Sequence, residues 1–293
     1  HIVIQKILQA TGNMIAPMWF QIAGVVFNFV FDPLLIFGIG PFPKMGVVGA
    51  AVATVLGYVV STIIALIQLF LTKQKVKPVF KNCLEPQMIK LIFSYGLPSF
   101  VMNALGAFTV NFANMFLVRY SDTAVAFFGA YFKVQQLIFM TVNGLIQGCL
   151  PIMRFNYRAK EYGRLKQANK SGTIIATVMM IVGMLLVLIF PKEILFLFSA
   201  SEEMCAFGVP AMRIMSLGFV FSGFSAMIAT YEQATDSIMP GVVVQLLRQG
   251  VLLVPVIWLL NSAVQMTGIW LAFPITEFVT FLVAVVFAKI KNH

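Results

Sequence analysis

Eight long apolar runs constrain this chain more than any other feature. They fall near residues 14–37, 46–71, 91–118, 124–153, 172–190, 205–230, 240–260 and 267–288. A helix needs about 20 residues to cross a hydrocarbon core, and every run is of that order or longer. Continuous runs of this length disfavour a membrane barrel, whose strands span about 10 residues and alternate strictly. Composition agrees. Hydrophobic residues make up 60% of the chain and charged residues 10%, where soluble domains carry about 25% charged residues. A soluble protein of this size has no core large enough for so much apolar surface. The predicted fold class is an all-α integral membrane protein, a polytopic helix bundle with eight spans.

The gaps between the runs orient the bundle. The formal net charge is +10, which in a soluble protein would suggest nucleic acid. Here the basic residues cluster between apolar runs, as topology and anionic headgroups require, so the expected partner is the lipid bilayer and not nucleic acid. Lys6, Lys73, Lys75, Lys77, Lys81, Lys90, Arg154, Arg158, Lys160, Arg164, Lys166, Lys170, Lys289 and Lys291 fall on one side; Lys44, Arg119 and Lys192 fall on the other. Positive residues stay cytoplasmic. A multi-pass plasma-membrane protein with both ends of this segment in the cytoplasm is predicted. Cys83, Cys149 and Cys205 are odd in number and widely spaced, with no CxxC, and the two histidines, His1 and His293, are the chain ends. No disulfide framework, no metal site and no histidine-based catalysis are expected.

An internal repeat is visible. Gln9, Ala10, Thr11 and Gln21 of "LQATGNMIAPMWFQ" recur 224 residues later as Gln233, Ala234, Thr235 and Gln245 of "EQATDSIMPGVVVQ". In the following run "GVVGAAVAT" from Gly46 faces "GIWLAFPIT" from Gly268, at a spacing of 222. Six runs separate the copies, so both begin on the same side, as in a parallel transporter repeat. The second copy has a whole six-span unit and the first only its last two spans. The symmetry predicts two six-helix lobes, twelve spans and an intact length on the order of 430 residues. The domains expected within this segment are 1–72, the last two helices of the first lobe; 73–90, a cytoplasmic linker; and 91–293, the second lobe.

The residues carry a family resemblance over nearly the whole chain. "FDPLLIFGIGPFPKMGVVGAAVATVLG", which contains Asp32, Pro33 and Gly46, resembles the fifth-to-sixth helix connection of the multidrug and toxic compound extrusion (MATE) family. "NGLIQGCLPIMRFNYRAKEYGRLKQA", with Pro151, Asn156 and Tyr157, is similar to its eighth helix and the cytoplasmic loop that follows. "RIMSLGFVFSGFSAMIATYEQAT" and "LLRQGVLLVPVIWLL" with "TGIWLAFPITEF" resemble helices ten to twelve. Asp32, Pro33, Gly46, Pro151, Asn156 and Tyr157 are therefore structural-motif candidates. The resemblance implies two lobes around a central cavity and export of organic cations or amphipathic drugs. Arg154 and Arg158 depart from the family's small residues and add charge to the cytoplasmic loop.

Ionisable groups inside spans cost several kcal/mol and usually face a cavity or a partner. Asp32 precedes Pro33 and reads as an Asx-Pro stop near the outer interface. Lys133, Gln136, Asn143 and Gln147 lie on the fourth span; the last three are 7 and 11 residues apart and share one face, which either lines a cavity or bonds a neighbouring helix. Asn103, Asn111 and Asn114 offer the same choice on the third span. Arg213 can snorkel to the outer interface. Arg248 and Glu277 lie on consecutive spans at depths that differ by about 5 Å, close enough for two long side chains to pair. Alternatively Glu277 holds a proton, Na⁺ or a cationic substrate. The candidate binding residues are thus Glu277, Arg248, Gln245, Lys133, Gln136, Asn143, Gln147, Asn103, Asn111 and Asn114.

Three function classes follow. The first is a secondary active exporter coupled to Na⁺ or H⁺ by alternating access, with no other cofactor, small cationic or amphipathic substrates, and a monomeric state. The second is a flippase for lipid-linked oligosaccharides, for which Lys133, Arg213 and Arg248 would form an anion site. An intramembrane enzyme is disfavoured, because there is no HExxH, no internal histidine and no acid pair. No GxxxxGK[ST] occurs, so this segment carries no ATPase motif.

Overall fold

Apolar spans with their polar residues gathered at the ends fold here into helices throughout. The structure, a computed structural model, describes residues 1–10, 13, 15–71, 85–235 and 243–291; the side chains at 10, 71, 95, 98, 99, 101–103, 249 and 288–291 are not described. Lys73, Lys75, Lys77, Lys81, Cys83, His293 and the side chain of Asn103 therefore lie outside the described residues. The helices are α1 (Ile2–Ala10), α2 (Ile15–Phe37), α3 (Val47–Leu71), α4 (Pro86–Leu117), α5 (Asp122–Arg158), α6 (Tyr162–Ile189), α7 (Pro191–Phe196), α8 (Glu202–Ser216) and α9 (Phe219–Ala234). A π-helical turn, Leu247–Val251, follows, then α10 (Leu253–Val264) and α11 (Met266–Lys291). No strand occurs among the described residues. Among the described residues six helical segments are long and apolar enough to cross a membrane; the third and seventh expected spans contain the shorter apolar helices Ala104–Leu117 and Leu253–Val264.

Helix boundaries follow local chemistry. Ser121 and Ser201 cap α5 and α8, accepting the amides of Ala124 at 3.0 Å and Met204 at 3.2 Å. Asp122, Glu202 and Glu203 then sit in first turns, where carboxylates offset the helix dipole. One expectation is corrected. Asp32-Pro33 does not end its helix: Pro33 lies inside α2, which continues to Phe37. Asp32 accepts a bond from Asn28 Nδ2 at 3.2 Å, and the same amide reaches Thr54 Oγ1 at 3.3 Å. The turn before the proline is thus held by side chains, and apolar surroundings favour the helix over any alternative that exposes backbone polar groups. The sixth span is present as expected, as Glu202–Ala234, with a turn inside it. It breaks at Leu217–Gly218 into α8 and α9, where the amides tighten onto carbonyls three residues back.

The chain divides into two compact units, 1–85 and 86–293. In the first, α2 and α3 run antiparallel, and Gly24 lies against Gly57 and Ser61 with no room for a side chain. Gln21 donates to Gln5 Oε1 at 2.8 Å, tying α1 to α2. Gly46 opens α3 at φ +58°, with nothing near its missing Cβ. Gly46→Ala is therefore expected to cost about 1 kcal/mol from backbone strain alone, with no steric component. A loss beyond ~2 kcal/mol in detergent unfolding would show that the position is packed.

In the second unit, α5, α6, α9 and α11 surround a core rich in rings. Phe127 packs edge-on to Trp270 at 5.2 Å, Phe128 lies 5.7 Å from Phe273, and Tyr131 and Phe219 are fully enclosed. Gly218 meets Pro274 and Glu277, while Phe224 meets Phe281, so α9 and α11 run parallel. Many large apolar side chains remain exposed, Phe29, Phe155, Phe196 and Trp258 among them. Such a surface suits lipid, where exposing an aromatic ring costs nothing.

Candidate functional site

The seventh span builds the site through an irregularity. Pro255 has no N–H for the Val251 carbonyl, and its ring crowds that carbonyl. The helix responds by widening: the Leu252 amide bonds the Leu247 carbonyl, five residues back, at 3.1 Å. Regular bonding resumes with the Val256 amide to the Leu252 carbonyl at 3.2 Å. The result is the π turn Leu247–Val251, packed through Gly250 against Leu105 and Thr109 of α4. Over the described residues 243–264 the seventh span is thus not a regular α-helix throughout, as a proline within it allows. Turns of this kind recur at functional positions.

Arg248 sits in that turn. Its Nε donates to Glu277 Oε1 of α11 at 2.8 Å, and the two side chains are only 16% and 14% exposed. Among the described residues it is the one salt bridge present. The guanidinium also stands 4.9 Å from the ring centre of Phe139 on α5, a cation–π contact. Phe139 meets Phe219 edge-on at 5.7 Å, and Phe219 in turn lies 6.5 Å from Tyr131. Gly218 leaves space for the Glu277 side chain: a Cβ there would lie 3.3 Å from Glu277 Cγ and 3.2 Å from Pro274 Cα. The break between α8 and α9 therefore falls where the carboxylate passes. Glu277 Oε2 and the Tyr131 hydroxyl are both buried and make no hydrogen bond among the described residues.

The remaining candidates divide by environment. Gln245 is half-buried, with its Oε1 enclosed and unbonded among the described residues. Gln136, Asn143 and Gln147 are all exposed on α5. Asn111 is exposed and donates back to the Ala107 carbonyl at 3.0 Å; Asn114 is half-buried, its Oδ1 enclosed without a partner among the described residues. Lys133 is exposed and stands 6.0 Å over the ring of Phe198, not beside Arg248. Arg213 donates to the Leu188 carbonyl at 3.2 Å, near the C-terminal end of α6, where a cation is favoured. Of the motif residues, Pro151 lies inside α5, Asn156 donates to the Ile152 carbonyl at 2.8 Å, and Tyr157 meets Tyr162 edge-on at 6.3 Å. Sequence reasoning missed Tyr131, Phe139 and Gly218. Tyr131 stands two residues before Lys133, but nothing in an apolar helix tells an enclosed tyrosine from a lipid-facing one.

A helical bundle with long apolar spans, lipid-suited surfaces and a charge pair enclosed between two of them defines a polytopic membrane protein. The chain belongs to the MatE family, the multidrug and toxic compound extrusion proteins: the family profile matches residues 98–259. Among curated relatives it is 26% identical, over 277 residues, to the multidrug export protein MepA of Staphylococcus aureus (strain bovine RF122 / ET3-1), covering 94% of this chain and 60% of that protein. A MepA of Staphylococcus saprophyticus is also 26% identical, over 286 residues, with 96% and 61% covered. The chain thus spans about three fifths of the length of these relatives. The fold matches an outward-facing multidrug resistance MATE transporter of the MOP superfamily with a TM-score of 0.86 at 21% identity, over 99% of this chain and 65% of the other. It also matches a MOP superfamily transporter from Pyrococcus furiosus, described as having a binding pocket of reverse polarity that suggests a different function, with a TM-score of 0.81 at 21% identity, over 94% and 62%.

Proposed function

We propose that the protein to which this segment contributes is a secondary active exporter of organic cations or amphipathic drugs, driven by Na⁺ or H⁺ antiport through alternating access. The observation that carries the reading is family membership together with relatives named as multidrug export proteins over 94% of this chain. Coupling requires a group whose ligand differs between two conformations. Glu277, enclosed in a span and held by Arg248 alone among the described residues, is the candidate for such a group. Its spans lie in the plasma membrane with the basic loops cytoplasmic, and the transporter works as a monomer of two six-helix lobes.

The cations of the spans bear on the flippase alternative. Arg248 is neutralised by Glu277, Arg213 is turned onto a backbone carbonyl, and Lys133 faces Phe198. They do not converge on one anion-binding surface, which favours a cationic cargo. The exposed face of Gln136, Asn143 and Gln147 then offers polar contacts that an organic cation needs without a fixed positive charge. Expression of the full-length protein in cells lacking drug pumps should lower ethidium retention several-fold, and collapse of the Na⁺ or the H⁺ gradient should restore it. Unchanged retention under every gradient, with membrane insertion confirmed, would remove the drug-exporter reading.

A further inference from the structure

The hairpin between α5 and α6 concentrates positive charge. Six basic residues and one acid, Glu161, fall between 154 and 170. All seven are exposed, and none makes a salt bridge among the described residues. Arg154 is turned onto the Gln233 carbonyl at 3.4 Å, which leaves five cations on the hairpin itself. Its backbone holds them in place. The Glu161 amide donates to the Asn156 carbonyl at 2.9 Å and the Lys160 amide to the Tyr157 carbonyl at 3.1 Å, with Lys160 in the left-handed region at φ 61°. Leu165, buried, anchors the start of α6. A turn fixed in this way presents its charges without first having to be ordered.

Two features of α6 give the charges a direction. The first is electrostatic. Glu161 at the N-cap makes no side-chain capping bond, and no acid sits in the first turn. Arg164 stands there instead, where a cation opposes the helix dipole. An anion bound at that end answers the dipole, the open amides and the arginine together. The second is geometric. Arg164, Ile175, Val182 and Ile189 follow at spacings of 11, 7 and 7, and Lys170, Ile174 and Leu185 at 4 and 11, so each set shares a helix face. The apolar members of both sets are exposed. The basic residues thus continue the surface that α6 turns to lipid. Lys170 lies four residues before Ile174, about 6 Å along the axis, which is the depth of the headgroup layer beside the hydrocarbon core.

The facing end of α5 completes the surface. Phe155 is 75% exposed two residues after Arg154 and three before Arg158, and Tyr162 at the start of α6 is 54% exposed. Aromatic rings of this kind belong at the membrane interface, and cations beside them hold the headgroups of an anionic leaflet. We propose that Arg158, Arg164 and Lys170, with Phe155 and Tyr162, form a binding site for an anionic phospholipid of the leaflet that this hairpin faces. The phosphodiester sits at the start of α6 between Arg164 and Lys170, and the acyl chains run along Ile174, Val178 and Leu185. The lipid fixes the depth and tilt at which α5 and α6 enter the membrane. The site rests on the membrane spans alone and does not depend on the exporter reading.

The test is photo-crosslinking of the full-length protein in phosphatidylcholine nanodiscs. They are doped with a trace of phosphatidylglycerol or of phosphatidylcholine carrying the same diazirine beside the glycerol. Adducts on peptides covering residues 155–175 should form about fivefold more with the phosphatidylglycerol probe, the size expected of a basic residue at an anionic headgroup. Peptides around Trp258 and Leu259, exposed on α10, should label alike with both probes and serve as the internal reference. Arg164→Gln/Lys170→Gln should bring the ratio at the hairpin close to one, while Arg164→Lys/Lys170→Arg should keep it. Should the glutamine variant fail to insert, the wild type still decides. In about 1 M NaCl, where the screening length falls to about 3 Å, its preference should disappear. Equal labelling by the two probes overturns the proposal, and so does a preference that survives the glutamines or the salt. Inorganic phosphate at matched ionic strength should compete no better than chloride; stronger competition would mean a site for a free anion, which also overturns the lipid.

Discussion

Arg248→Ala should destabilise the protein by about 3–5 kcal/mol, the cost of leaving a buried partner charge uncompensated. Its partner Glu277 is 14% exposed and has no second hydrogen bond among the described residues to fall back on. The alanine also forfeits the contact with Phe139, which adds about 0.5–2 kcal/mol. Glu277→Ala should cost a comparable amount, since it strands the guanidinium. The pair replaced together, as Arg248→Met/Glu277→Leu, should be closer to the wild type than either single variant, because apolar side chains of similar volume remove both desolvation penalties at once. Unfolding in mixed detergent micelles reads the three values. If the single effects simply add in a double-alanine variant, with coupling under about 0.5 kcal/mol, the pair contributes no interaction of its own.

Gly24→Leu should be the most damaging substitution in the 1–85 unit. A Cβ at this position meets the Ser61 hydroxyl and lies 2.7 Å from the Gly57 carbonyl oxygen. The backbone atom cannot rotate away, so α2 and α3 must separate. Small residues let membrane helices approach closely, and their loss removes dispersion contacts along the whole seam. The expected cost is about 3 kcal/mol, at the upper end for overpacking, with the bond from Asn28 to Thr54 lost as the helices part. Gly24→Ala should fall between the two. Crosslinking yield between cysteines placed on the facing surfaces of α2 and α3 checks the separation independently of stability. Wild-type yield in the leucine variant would mean that the seam absorbs the side chain without moving.

These two sites are equivalent in the sequence repeat, and their difference explains why part of the fold was legible and part was not. Gly24 aligns with Arg248 and Val55 with Glu277. In one unit the position makes a close backbone approach; in the other it carries a charge to a neighbouring helix. The alignment located both changes on consecutive spans at similar depth, because the rise per residue in a helix is fixed. It did not show that the two side chains meet. That depended on the π turn, which rotates Arg248 relative to a regular helix, and on the gap left by Gly218 at a break between α8 and α9. Pro255 was visible as a kink-former, but a proline can be absorbed by a bend, a wider turn or a break. Pro33 shows the other outcome, since its helix continues unbroken to Phe37.

The sequence by itself determined the all-helical membrane fold, the positions of most spans and the family. Hydropathy over some twenty residues leaves a chain in lipid no alternative to satisfying its backbone within each helix, so that information is local. Which polar side chains meet was decided only by the tertiary structure. Lys133, Gln136, Asn143 and Gln147 stayed exposed while Arg248 and Glu277 closed on each other. Pairing depends on helix rotation and on the small residues that let one helix reach the next, and those are set by packing between segments far apart in the chain.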